Sequence, residues 1–188
     1  MRILYLLFIL CMASVLPCLA QSDERKPFEA GVQFATLRLN TLGEGAAGIG
    51  GRASYEFKRG KLIFAPELEY NYFPQNPSGN FGESQLLTGV RVGFRIDRVG
   101  IFVKVRPGFV HFGGDDFRSR NNGPSTNFAC DLGAVFEYPA TGRVGARFDF
   151  GDTLVNFPRP VFTGGSVAPA PSGLSHNFQG GLGIVFRF

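Results

Sequence analysis

Apolar and polar residues alternate with a period of two in about eight stretches of the chain. Alternation of this kind puts successive side chains on opposite faces of a β-strand, so each stretch predicts a strand with one apolar and one polar face. The predicted strands lie near Phe28–Asn40, Ile49–Lys58, Leu62–Tyr72, Gln85–Ile96, Ile101–Phe109, Thr126–Tyr138, Val144–Gly151 and Phe178–Phe188. Most are close to the roughly 9–11 residues that a tilted membrane-spanning strand requires. The pattern therefore predicts an all-β fold of membrane-crossing strands.

The connectors between the predicted strands alternate between short and long. The short ones are Lys58–Lys61, Asp97–Gly100 and Pro139–Gly142. The long ones, rich in Gly, Pro, Asn and Ser, are Thr41–Gly48, Pro74–Glu83, Gly113–Ser125 and Asn156–Ser175. Outer-membrane barrels have brief periplasmic turns, longer external loops and an even number of strands. We therefore expect an antiparallel up-and-down transmembrane β-barrel in the bacterial outer membrane, with both chain ends on the periplasmic side.

The polar faces of the predicted strands carry acids and bases in nearly equal number. An Arg or Lys that faces lipid near the midplane costs about 2–4 kcal/mol, whereas opposite charges inside a barrel can pair. A soluble ligand-carrying barrel needs the reverse arrangement, with its apolar face inside. We therefore expect a polar, occluded lumen. The charged residues predicted to line it are Arg52, Glu56, Glu67, Glu69, Arg91, Arg95, Lys104, Arg106, Asp131, Glu137, Arg147, Asp149 and Arg187.

The chain begins with the features of a secretory signal peptide. Arg2 precedes a hydrophobic run from Ile3 to Leu16, and Ala20 stands before a polar stretch. The run is shorter than the roughly 20 residues of a membrane-spanning helix, and a small residue before polar sequence is typical of a cleavage site. We expect residues 1–20 to be removed and residues 21–188 to form the barrel domain.

Three residues are unusual for the strands in which they lie. Pro66 and Pro107 lack the N–H that a strand ladder needs, so we expect a β-bulge to accommodate each. Cys130 is the only cysteine left after signal-peptide cleavage, so no disulfide within the mature chain is expected. Its position in the alternation predicts that it faces lipid as a small apolar residue.

These features together resemble the small OmpA-like outer-membrane β-barrel domains. The resemblance implies folding by the barrel-assembly machinery through a terminal strand that ends on an aromatic residue. In this chain that strand carries Phe178, Leu182, Ile184, Phe186 and Phe188. Tryptophan is absent, so an aromatic belt at the membrane interface has to come from the tyrosines and phenylalanines.

The sequence is compatible with three functions. The first is a structural or surface-interaction role in which the long connectors contact an external ligand, and the second is a narrow, porin-like channel. The third is a lipid A-modifying enzyme, which would need a Ser and a His with a carboxylate. Ser175 and His176 are adjacent, so they should face opposite sides of a strand and cannot be nucleophile and base. We expect no enzyme activity; the other candidates for such chemistry are His111, Asp115 and Asp116.

Composition excludes further classes of function. The formal net charge is +4, but the basic residues are spaced singly among acids, which does not predict a nucleic-acid binder. No catalytic site or cofactor is predicted. No metal site is predicted either, because adjacent acids in a Gly- and Asn-rich connector, such as Asp115 and Asp116, are ordinarily solvated. The expected partners are the lipid of the outer membrane, the barrel-assembly machinery and an external ligand at the connectors.

Overall fold

The structure of the protein is a computed structural model. It describes residues 27–40, 44–74, 82–96, 98–113, 126–157, 161–162, 169–170 and 173–188. The predicted signal peptide and the candidate residues Asp115 and Asp116 lie outside the described residues. Among the residues that are described, none belongs to a helix long and apolar enough to cross a membrane.

All regular structure in the described residues is β. The strands are β1 (Phe28–Leu39), β2 (Glu44–Tyr55), β3 (Phe57–Arg59), β4 (Leu62–Phe73), β5 (Glu83–Ile96), β6 (Val99–Phe112), β7 (Thr126–Pro139), β8 (Val144–Phe157), β9 (Val161–Phe162), β10 (Pro169–Ala170) and β11 (Gly173–Arg187). β9 and β10 pair with each other as a separate two-stranded ribbon.

The remaining strands form one closed antiparallel barrel. Sequential strands are hydrogen-bonded neighbours, β11 returns to pair with β1, and β2 pairs with β4. β2 and β3 pair with the two halves of β4 in one unbroken register, so together they form a single barrel strand. The prediction of an eight-stranded, up-and-down barrel is therefore confirmed.

The short and long connectors lie at opposite ends of the barrel. Phe28, Phe188 and the three short turns share one end, here called the turn end, and the longer connectors share the loop end. Several strands run further toward the loop end than the alternation predicts: β8 continues to Phe157, and β11 already begins at Gly173. Val155 and Phe157, which belong to the extension of β8, are buried inside the barrel at that end.

The two strand prolines are accommodated without the predicted bulges. Pro66 stays paired with Val90 of β5. On the opposite side of β4, the ladder with β2 and β3 is interrupted at Glu56. The Glu56 N–H donates to the carbonyl of Pro27 at 2.7 Å. Pro107 stays paired with Cys130, and the β5–β6 ladder skips two positions beside it. The register is the same on both sides of each gap, so a missing N–H here costs local pairing and no extra residue is inserted.

The outer wall of the barrel is apolar. Exposed large apolar side chains occur on all eight barrel strands, among them Phe34, Leu68, Val103, Phe136, Phe148 and Leu182. A continuous exposed apolar surface of this extent is not stable in water and marks a contact with lipid or protein. Because a closed barrel pairs its strands with one another and leaves no open sheet edge, this wall is suited to the hydrocarbon of a membrane.

Candidate functional site

The inward face of the barrel is the candidate functional site. The alternating side chains opposite the apolar wall all point into one closed lumen, where eleven of the thirteen charged residues predicted there are buried. Arg95 and Arg187, near the turn end, are half-buried. The structure brings the thirteen together in one ion-pair network, described here as two clusters that lie one above the other. The pairs Arg91–Glu67 at 3.6 Å and Arg147–Glu137 at 3.8 Å join the two clusters.

The first cluster lies nearest the turn end and joins three arginines to three glutamates. Its members are Glu29, Glu56, Arg91, Arg95, Glu137 and Arg187. Arg91 Nη2 lies 2.7 Å from Glu29 Oε1, and Arg91 also pairs with Glu137. Arg95 donates two hydrogen bonds to Glu56, at 2.8 and 2.5 Å. Paired planar groups of this kind form strong, directional hydrogen bonds.

The second cluster lies in the middle of the lumen and joins four bases to four acids. Its members are Arg52, Glu67, Glu69, Lys104, Arg106, Asp131, Arg147 and Asp149. Arg147 is fully enclosed and donates two hydrogen bonds to Glu67, at 2.5 and 2.9 Å, and two to Asp149, at 2.9 and 3.0 Å. Each charge is thus compensated by partners on other strands, as a buried ion requires.

Glu29 is a charged lumen residue that the sequence-based list leaves out, and Glu83, which is buried near the loop end, is another. Glu29 lies on the polar face of β1 and pairs with both Arg91 and Arg187. With Glu29 included, the described ion pairs of the lumen contain seven bases and seven acids. The inward position of Glu29 in the alternation was the signal that could have identified it. The lumen network is therefore electrically neutral.

Three carboxylates of the first cluster have the spacing of metal ligands. Oxygen atoms of Glu29, Glu56 and Glu137 lie within 4.8 Å of one another. Each of these carboxylates already pairs with Arg91 and with a second arginine. The positive charge that a metal ion would bring is thus already supplied, so the donor set does not favour a cation.

A layer of neutral amides lies above the ion pairs on the side of the loop end. Gln33 donates to Asn71 at 2.6 Å, and Asn71 in turn donates to Gln85 at 2.9 Å. Gln85 and Gln179 exchange side-chain hydrogen bonds at 3.0 Å across the lumen, and Thr153 donates to Gln179. These contacts connect strands from opposite sides of the barrel and fill the space between the charged middle and the loop end.

At the loop end, apolar side chains join buried polar ones such as Glu83, Asn127 and Asn177 in the lumen, a feature that the predicted polar lumen did not include. Nine side chains form this apolar cap, each at most 2 % exposed: Ala35, Leu37, Leu39, Phe73, Val110, Phe112, Ala129, Val155 and Phe157. The outward neighbours here, such as Thr36, Arg38 and His176, are polar and exposed. Part of the outer wall is therefore polar at the loop end, as expected where the barrel leaves hydrocarbon and enters water, whereas Phe109 and Phe128 continue the apolar wall beside the cap.

A second, smaller apolar group lies at the turn end. Ile63, Phe102 and Val135 pack together, and the Arg91 guanidinium lies over the Phe102 ring at 4.8 Å from its centroid. A Cβ atom on Gly93 would lie 2.8 Å from Cδ1 of Phe102. Glycine at position 93 therefore makes room for the aromatic ring that supports Arg91.

Three of the residues considered for chemistry, Ser175, His176 and His111, lie among the described residues. Ser175 is buried and donates to Asn177, whereas His176 is exposed on the outer wall with its Nδ1 2.5 Å from Asp152 Oδ2. The expectation that Ser175 and His176 face opposite sides of the strand is thus confirmed. His111 is also exposed, and its Nδ1 lies 2.8 Å from the hydroxyl of Thr126.

Comparison with solved structures finds the same fold in small membrane barrels. Neisserial surface protein A has 15 % sequence identity and a TM-score of 0.50, over 86 % of this chain and 96 % of that one. The attachment invasion locus protein Ail of Yersinia pestis has 12 % identity and a TM-score of 0.51, over 86 % and 97 %. The sequence matches no protein-family model and no curated protein.

The likeness to these structures concerns the fold. It confirms the resemblance to small OmpA-like barrels at the level of architecture. Closed antiparallel barrels with an apolar outer wall and short turns at one end are the form in which β-strands cross the outer membrane. The fold and the wall together therefore place the protein in the bacterial outer membrane.

Proposed function

We propose that the protein is a non-conducting barrel of the outer membrane that acts at the cell surface through the connectors of its loop end. The observation that carries this proposal is the filled lumen. Two compensated ion-pair clusters, the amide layer and the apolar cap follow one another from the turn end to the loop end. The barrel then serves as a rigid base for the external connectors.

The filled lumen disfavours a narrow channel. Ion channels attract permeant ions with rings of one charge sign or with exposed carbonyls, whereas here every base of the two clusters faces an acid. An ion would also have to pass the apolar cap, whose nine buried side chains would strip part of its hydration. The conducting alternative therefore lacks a pathway through the described side chains.

Electrical recording tests the proposal directly. The purified barrel, reconstituted in a planar bilayer, should give no steady current above the noise of the membrane alone. Steady unitary channels would overturn the non-conducting lumen. As a control for insertion, the same sample should shift its mobility on a detergent gel when it is heated, as a persistent barrel does.

The surface role is tested by exchanging the longest connector. Cells that produce the wild-type barrel are compared with cells in which residues 158–172 are replaced by a Gly-Ser segment, while barrel levels are checked on unheated gels. We expect the exchange to leave assembly intact and to reduce attachment of the cells to surfaces to which cells with the wild-type barrel attach. Unchanged attachment would contradict the surface role of this connector.

An enzymatic role is disfavoured by the position of the candidate side chains. A nucleophile and its base need hydrogen-bond contact, but Ser175 points into the lumen and His176 points to the outer wall of the same strand. We therefore expect the variants His111→Ala and His176→Ala to leave the lipid A profile of the cells unchanged. A profile that differs between the wild type and either variant would indicate an enzyme.

A further inference from the structure

We infer that the turn end of the barrel is a binding surface for anionic phospholipid headgroups. The inference rests on the membrane orientation used in the proposed function, with the turn end toward the periplasm, but it does not depend on the loops or on conduction. Five basic side chains define this surface, here called the basic rim: Lys58, Arg59, Lys61, Arg98 and Arg143.

The basic rim is spread over all three short turns. Lys58, Arg59 and Lys61 belong to the β3–β4 turn, where Gly60 takes a positive φ of 62° that allows the tight reversal. Arg98 lies between β5 and β6, and Arg143 lies between β7 and β8. The cations therefore surround the barrel and do not form one patch on its end.

The β7–β8 turn fixes the backbone from which Arg143 extends. In the β7–β8 turn, the Thr141 hydroxyl accepts hydrogen bonds from the N–H groups of Arg143 and Val144 at 3.2 and 3.0 Å. The Thr141 N–H donates to the Val144 carbonyl at 2.9 Å. The side chain of Arg143 is thereby presented to the surroundings from a rigid backbone.

The charges of the basic rim are not compensated within the described part of the protein. All five side chains are exposed, and none of them makes an ion pair with a described residue. The described residues of these turns include no acid. This contrasts with the lumen, where each base faces at least one acid, and it leaves the rim charges available to an anionic partner.

Apolar and aromatic side chains lie immediately beside the basic rim on the outer wall. Tyr55 and Phe57 have ring centroids 4.9 Å apart, and Tyr138 precedes the β7–β8 turn. Phe28 and Phe188 have ring centroids 6.0 Å apart at the same end. Tyrosine and phenylalanine at this level form the belt that marks the boundary of a bilayer.

The juxtaposition of cations and wall side chains identifies the class of partner. A basic residue near an anionic membrane surface gains about 1 kcal/mol, and long basic side chains reach headgroups while their stems cover apolar surface. An acidic polymer in water could pair with the cations, but it would leave the belt of tyrosine and phenylalanine side chains without an apolar partner. A phospholipid satisfies both, with its phosphate at the rim and its chains against the wall.

Native mass spectrometry of the full barrel in detergent tests the inference. The probes are phosphatidylglycerol and phosphatidylethanolamine with the same acyl chains. The wild type should retain phosphatidylglycerol at a lipid concentration at least about fivefold lower, the factor that corresponds to 1 kcal/mol for one rim cation. Equal retention of the two lipids by the wild type would overturn the inference.

Two multiple variants give the matched comparison. One neutralises the rim with Lys58→Gln, Arg59→Gln, Lys61→Gln, Arg98→Gln and Arg143→Gln. The other keeps the charge by exchanging Lys for Arg and Arg for Lys at the same five positions. We expect the neutral variant to lose the preference for phosphatidylglycerol and the charge-conserving variant to keep it. A neutral variant that keeps the preference would contradict the inference.

Further controls keep the outcome unambiguous. Heat-dependent gel mobility shows whether each variant is folded. If the variant with five substitutions to Gln does not fold, the double variant Arg98→Gln with Arg143→Gln takes its place. Arg38→Gln removes an exposed cation at the loop end and should keep the preference. Rim-dependent binding to purified peptidoglycan, without a lipid preference, would assign the surface to a polymer and overturn the inference. The conductance measurement does not involve the basic rim, so a failure of the lipid-binding inference can be told apart from a failure of the proposed function.

Discussion

The rings of Phe112 and Phe157 lie 5.8 Å apart inside the loop end of the barrel, where they form the centre of the apolar cap. They extend from β6 and β8, two strands that are not neighbours in the barrel wall. Their contact therefore packs two strands that do not pair with each other together inside the loop end of the lumen. A second aromatic pair, Phe109 and Phe128, has its ring centroids 6.0 Å apart on the outer wall and provides a natural comparison.

The apolar cap is expected to contribute more to stability than the matched pair on the wall. Phe112→Ala combined with Phe157→Ala leaves an enclosed cavity, and a buried Phe→Ala change costs about 3–5 kcal/mol per site. Phe109→Ala combined with Phe128→Ala leaves a space that lipid or detergent can fill, so its cost should be smaller. Urea unfolding of the barrel in detergent measures both. Equal loss in the two double variants would show that the cap is not closely packed.

Arg147 is expected to be the most sensitive single position of the second cluster. Replacement by Met leaves Glu67 and Asp149 without their bidentate partner, and breaking a buried ion pair in this way costs about 3–5 kcal/mol. The control is Arg38→Met, which changes an exposed arginine and should shift stability by less than about 0.5 kcal/mol. If Arg147→Met unfolds at the same urea concentration as the control, the lumen is hydrated and its charges are screened.

The membrane orientation is expected to place Thr126 outside the cell and Lys61 in the periplasm. Single cysteines at these two exposed positions are introduced in a Cys130→Ser background. A membrane-impermeant maleimide should label Thr126→Cys on intact cells and Lys61→Cys only after lysis. Labelling of Lys61→Cys on intact cells would reverse the orientation, and with it the leaflet that the basic rim faces.

Phe188 is expected to be needed for efficient assembly. Its N–H donates to the carbonyl of Phe28 at 2.9 Å, so it helps to join the last strand to the first. Deletion of Phe188 should lower the amount of heat-modifiable barrel in the membrane without altering export across the inner membrane. Phe148→Ala, an exposed aromatic change on β8, serves as the comparison. Normal barrel levels after the deletion would contradict the role assigned to the terminal strand.

The alternation of the sequence was sufficient to predict the barrel and the direction of its charged side chains. Arg52 and Arg91 alternate with small or apolar residues, and an unpaired charge cannot face hydrocarbon at low cost. The structure accordingly brings both into the lumen. The partners of each charge could not be predicted, because Arg91 contacts Glu29, Glu56 and Glu137, which come from three other parts of the chain.

The apolar cap was not predictable by the same rule. Leu37 and Leu39 alternate with Thr36 and Arg38 in the same phase as the rest of β1, but the inner residues are now the apolar ones. A rule that assigns the apolar face to lipid holds only within the membrane. Outside it the medium around the barrel is water, and the strand continues with the opposite polarity.

The pairing of Glu29 with Arg187 depends on the closure of the barrel. The two residues are 158 positions apart, at 3.0 Å in the closed cylinder. Neither charge can be neutralised by the other until the first and last strands have met. Until then both groups can be hydrated, and closure of the barrel is the step that converts them into part of a buried interior.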